Sequence, residues 1–180
     1  MFTAILWDYD GTLANTPVKN IAVTRAVLGR LDPALLDPLP EDYEGYLIRT
    51  DYRIGIQISL ALDDPELNEN DRVMVALSLL FGAGMPPLDV AIEGLQWFIQ
   101  CGDDKEIEPG GKRLLWFDYD AARLYASFRQ TFGIELHKIN LHWFEFMAMM
   151  ESLDEDSAIS HAIQIRGTDT SKMKDKQRQD

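Results

Sequence analysis

From Asn68 to Leu153, apolar residues recur at helical spacing, and each run is closed off by a capping residue or a glycine. The stretch opened by Pro86-Pro87 carries Leu88, Ala91, Ile92, Leu95, Phe98 and Ile99 at i, i+3, i+4, i+7, i+10 and i+11, then stops at Gly102. Those intervals place six apolar side chains on one stripe of an α-helix. Before it, Asn68 or Asn70 is placed to cap a helix running through Leu80, which Gly82 ends. After it, Asp118 or Asp120 is placed to cap one that aligns Ala121, Leu124, Tyr125, Phe128 and Phe132 and ends at Gly133. Asn140 is the candidate cap of "LHWFEFMAMMESL", whose polar positions shrink to His142, Glu145 and Ser152. So apolar a helix belongs at the centre of a core. Residues 156–165 have weaker helical character. A doubly wound sheet needs repeated strand–helix units, and this succession of helices does not supply them.

Strand-like material is confined to the front. Residues 3–7 (TAILW) form a short apolar run that leads into turn chemistry at Asp10-Gly11, and residues 17–30 have a helical pattern. "YEGYLIRTDYRIGIQISL" begins strand-like and turns helical near Asp51. Between them "LDPALLDPLPEDYEG" is rich in Pro and Asp, as a boundary is. The expectation is a mainly α protein: a small helical domain over 32–180 with a short strand or irregular N-terminal lead-in, preceded by a separate fragment, 1–31.

Composition excludes some partners. A net charge of −13 argues against the basic face that neutralising phosphates requires, so no nucleic-acid partner is expected. Cys101 is the single cysteine and cannot form an intrachain disulfide, which fits a reducing compartment. His137, His142 and His161 lack zinc-ligand spacing, so no metal is expected from them. No apolar run approaches the roughly 20 residues of a membrane span, and no signal-peptide layout opens the chain. A cytoplasmic protein with no membrane partner is expected.

The opening "AILWDYDGTLANT" carries a resemblance of its own. Residues 1–28 resemble the start of a haloacid-dehalogenase-like hydrolase, which implies Asp8 as nucleophile on phosphorus and Asp10 as proton donor and acceptor beside Mg2+. A carboxylate pair of that kind splits phosphoryl transfer into two steps and protonates the leaving oxygen. The same chemistry needs a cation to offset the repulsion between carboxylate and phosphate. No lysine lies between Lys19 and Lys105, and Arg49, Arg53 and Arg72 sit in no recognisable motif. "FIQCGDDKEIEPGG" mimics a magnesium-holding acidic strand end, yet the residues before it follow a helical period. Asp8 and Asp10 are therefore expected to serve a turn and a helix approach, with no cofactor. A magnesium-dependent phosphatase using this pair as catalytic and metal residues is the alternative.

Residues 32–180 resemble a different family, the bacteriophage gene-product-fifteen proteins. The carrying segments are "LLDPLPEDYEGYLIRTDYRIGI", "DRVMVALSLLFG", "GLQWFIQCG", "WFDYDAARLYASFRQTFGIEL", "INLHWFEFMAMMESL" and "SKMKDKQR", in that order. The resemblance implies a tail-assembly chaperone or accessory of a phage or prophage. It would act in the bacterial host cytoplasm, bind a phage structural protein such as the tape-measure chain, and catalyse nothing. Family members usually start near "DPLP" and continue past "KDKQR", so residues 1–31 are expected to be foreign and the last helix shortened. Methionine and aromatic side chains adapt to a partner helix. The candidate partner-binding residues are Trp97, Trp143, Phe144, Phe146, Met147, Met149 and Met150; the competing expectation is that they are core. A helical interaction module outside phage biology is a third reading.

Overall fold

The computed structural model describes residues 39–102 and 113–168. The Asp8/Asp10 motif, most of the "GDDKEIEPGG" segment and the residues from 169 onward lie outside that range. Among the described residues the protein is mainly helical, as expected. A two-stranded hairpin (β1, Asp42–Tyr43; β2, Tyr46–Leu47) precedes six α-helices: α1 Tyr52–Asp63, α2 Glu69–Phe81, α3 Leu88–Ile99, α4 Ala121–Phe132, α5 Trp143–Glu151 and α6 Ala158–Gly167. Short 3-10 turns occupy Gly82–Gly84 and Leu136–Lys138.

The hairpin pairs Asp42 with Leu47 and Tyr43 with Tyr46. Its two loop residues, Glu44 and Gly45, have φ of 50° and 83°, the left-handed pair that a two-residue turn needs to match strand twist. The Asp42 carboxylate accepts the Gly45 N–H at 3.0 Å and closes the turn.

Local capping sets most helix ends. The Asn68 side chain accepts the Asp71 N–H at 3.0 Å and starts α2, which Gly82 closes at φ 60°. Gly133, at φ 70°, closes α4 with its N–H on the Arg129 carbonyl. At the end of α3 the Cys101 N–H bonds Phe98 O and the Gly102 N–H bonds Trp97 O. The left-handed region therefore begins one residue earlier than expected, at Cys101 with φ 56°.

Two expected caps are corrected. The helix assigned to Asn140 starts later, at Trp143, and His142 caps it, its Nδ1 accepting the Phe144 N–H at 3.0 Å. The Glu145 carboxylate accepts the His142 N–H at 3.4 Å in return. The other ring nitrogen, Nε2, lies 2.9 Å from the Pro40 carbonyl. A carbonyl only accepts, so Nε2 carries the proton and Nδ1 is left as the acceptor. Asp120 precedes α4 but makes no capping bond; it is drawn into the ion cluster described below.

The starts of α1 and α5 are tied directly together. Asp51, the cap of α1, and His142, the cap of α5, form an antiparallel bridge. Tyr52 N–H bonds Leu141 O at 3.0 Å, and Trp143 N–H bonds Thr50 O at 2.7 Å. Trp143 is thereby delivered to the centre of the core. Its ring stacks on Phe98 (centroids 6.0 Å apart) and Phe146 (5.7 Å), and its edge meets Phe117 at 6.2 Å. Phe146 stacks in turn on Tyr52 at 4.9 Å and Phe128 at 5.2 Å. One aromatic cluster thus joins α1, α3, α4 and α5. α5 is central to the core, as its composition predicts.

Candidate functional site

The sequence of α2 from Val73 to Phe81, VMVALSLLF, has one polar residue, Ser78. A helix that apolar is normally enclosed on all sides. Here Val73, Ala76, Leu77, Leu80 and Phe81 point into the core, against α1 and α3. The outward side stays partly open: Met74 is 42% and Val75 40% exposed. Together with Leu67, Asp71, Ser78 and Leu79 they line an open groove of about 470 Å³. The Ser78 hydroxyl donates back to Met74 O at 2.8 Å, which leaves the strip apolar between Met74 and Leu79. At the other end the Asp71 carboxylate accepts from the Asn68 amide at 2.5 Å. Apolar area covered here by a partner would contribute roughly 25 cal/mol per Å².

The residues nominated from sequence lie elsewhere. Trp143, Phe144 and Phe146 are buried core residues, with 3% exposure at most. Trp97 is half-buried, wedged between Tyr43 (5.2 Å) and Phe144 (5.3 Å). Met147, Met149 and Met150 are half-buried and packed against the core. The fold does bring the seven together around α3 and α5, but facing inward or along the core edge. Sequence reasoning passed over Met74 and Val75. The available signal was that "VMVALSLLF" carries more apolar side chains than one face can bury.

A second cluster is electrostatic. Asp120 is fully buried; its two oxygens accept from Arg166 at 2.6 and 2.9 Å, from Arg123 at 3.1 Å and from the Trp116 N–H at 3.1 Å. Burial alone would push its carboxyl up, but the Arg166 bonds, the Trp116 N–H and Arg123 outweigh it and hold the group below the usual carboxylate range. Arg166 also donates to Leu114 O at 2.8 Å, and its guanidinium lies 5.1 Å over the Trp116 ring. Arg113, ion-paired with Asp63, approaches the same ring at 5.4 Å. Burial raises the Asp63 carboxyl, with Arg113 opposing. Every partner in this cluster is engaged, so it braces α6 and the 113–120 segment against α4.

Asp8 and Asp10 lie outside the described residues. Among the described residues no three His, Cys, Asp or Glu side chains are placed to hold a metal ion. No single described helix is long and apolar enough to cross a membrane. A family model described as "Bacteriophage Gp15 protein" matches residues 35–180. No curated protein and no solved structure matches the chain.

Proposed function

We propose, on the premise that this chain belongs to the bacteriophage Gp15 family, that it is a tail-assembly accessory that binds a partner chain and catalyses nothing. The partner is the tape-measure protein, held in the bacterial cytoplasm until tail-tube subunits displace it. One observation carries the reading: Met74 and Val75 on α2 are exposed side by side and, with Leu67 and Leu79, line an open groove. A flexible methionine beside a branched aliphatic suits a helical partner whose side chains vary along its length. The chain's charge of −13 would keep such a complex soluble and oppose association between copies.

Co-expression of the tagged chain with the tape-measure product of the same phage tests the proposal. Capture should be strong for the natural chain and sharply reduced for Met74→Ser with Val75→Ser. Absence of capture refutes the partner. Incubation with para-nitrophenyl phosphate and Mg2+ addresses catalysis: no turnover is expected from the natural chain or from Asp8→Asn. Turnover that disappears in Asp8→Asn refutes the non-catalytic assignment.

A further inference from the structure

We infer that the α2 groove takes a basic amphipathic helix, with its apolar side chains along Met74, Val75 and Leu79 and its lysines or arginines toward the carboxylates around the groove. This rests on the proposal above that the chain binds a partner chain, and it specifies the chemistry of the segment bound. Three observations support it.

The first is the charge of the surroundings. From Asp63 to Gln100 there are seven carboxylates and a single cation, Arg72. Glu66, Glu69, Asp71, Asp89 and Glu93 are exposed. Arg72 is turned back on the chain, its Nε donating to Leu67 O at 3.0 Å. An incoming acidic segment, a nucleic acid or an anionic lipid surface would meet Asp71 in the groove and a net negative charge on the segment that forms it.

The second is shape. The lining residues Asp71, Met74, Val75, Ser78 and Leu79 recur at three- and four-residue intervals along one face of α2, with Leu67 just ahead of its cap. Such a face presents ridges and grooves that another helix matches, whereas an extended strand would find no free ladder to pair with. From Asp71 to Leu79 the helical strip is about 12 Å long, which is about two turns of a partner helix.

The third is where the acids sit. Asp71 lines the groove itself, and Leu67, at the same end of it, lies between Glu66 and Glu69 in the sequence. Apolar and acidic side chains are therefore adjacent, as a partner with an apolar stripe bordered by cations requires. The carboxylate of Asp71 keeps acceptor capacity beyond its bond to Asn68, because an ionised carboxylate has about four lone-pair sites.

The test uses the full chain and two labelled synthetic helices of about 18 residues. Both carry leucine at i, i+3, i+4 and i+7; one has lysine at its flanking positions and the other glutamate. Fluorescence anisotropy should give binding of the lysine helix at least about tenfold tighter than that of the glutamate helix, and weaker at high salt. Met74→Ser with Val75→Ser, which keeps every acid, should weaken the lysine helix about tenfold. Glu69→Gln with Asp71→Asn should weaken it several-fold and flatten its salt dependence. Ser78→Trp fills the groove from an exposed position without removing core packing and should also block binding; far-UV circular dichroism verifies the helices of each variant. Equal affinity for the two helices overturns the inference, as does full affinity in both Met74→Ser/Val75→Ser and Ser78→Trp. If the tape-measure product is captured while the lysine helix is not preferred, the inference falls and the tail-assembly proposal stands. If the lysine helix binds the groove while no tape-measure product is captured, the groove chemistry stands and the proposed partner falls.

Discussion

Gly55 lies in α1 directly under the ring of Trp143. A Cβ at this position would sit 2.7 Å from Trp143 Cζ3 and closer still to Cε3 and Cδ2. Carbon atoms in good contact are about 3.5–4.0 Å apart, so the ring would have to retreat by about 1 Å or more. It has nowhere to go, since Phe98, Phe117 and Phe146 surround it with centroids 5.7–6.2 Å away and the residue is 2% exposed. Overpacking of this kind costs about 1–3 kcal/mol, occasionally more. Against it, Gly→Ala in a helix interior gains about 1 kcal/mol of propensity. Two aromatic faces and one edge restrain the ring, so the strain should lie at the upper end of that range, about 3 kcal/mol, and Gly55→Ala should lose about 2 kcal/mol net. For a chain of this size that lowers Tm by about 4–8 °C. Thermal unfolding followed by circular dichroism measures it, with Gly84→Ala as control because a Cβ there meets nothing within 4 Å. Trp143→Leu should make the Gly55→Ala cost much smaller, a non-additivity expected only if the two side chains collide. A Gly55→Ala chain with unchanged or higher Tm refutes the close seating of Trp143.

Asp120→Ala should cost about 3–5 kcal/mol in urea unfolding, because Arg166 would be left without its buried partner. The folded state holds the Asp120 carboxyl below its ordinary 3.8, so its stabilisation is complete above that value and is lost as pH falls through the lower folded one. Asp120→Asn should flatten that acid limb. Asp63 works in the opposite sense: its raised carboxyl gains stability as pH falls through the raised value toward 3.8, and Asp63→Asn should remove that gain. His142→Ala removes the α5 cap and the bond to Pro40 O, a loss of about 1–2 kcal/mol, and hydrogen exchange at the Phe144 amide should accelerate. Deleting residues 1–31, which precede the matched segment 35–180, should change Tm by no more than about 2 °C in the same thermal scan; failure to fold would show that the two pieces depend on each other.

Much of this fold is legible in the amino-acid order because its determinants act within one helical turn. Asn68 as a cap, Gly82 and Gly133 as stops, and the Leu88–Ile99 helix each depend on residues three or four apart and occupy their expected places, although Leu88, the first of the apolar stripe, is exposed. The misplaced caps were decided by partners far along the chain. Asp120 sits where a cap belongs, but Arg166, 46 residues later, offers two charge-assisted bonds that a single exposed N–H does not match. His142 replaces Asn140 because its second nitrogen reaches Pro40, 102 residues earlier, and its backbone bridges Asp51. The candidate site follows the same division. Composition marks residues 73–81 of α2 as apolar apart from Ser78, and only the packing of α1 and α3 decides which side is enclosed and which stays open. Periodicity and capping are properties of neighbouring residues, so order alone determines them. The covering of a face is a property of which elements meet, and that exists only once the chain has folded.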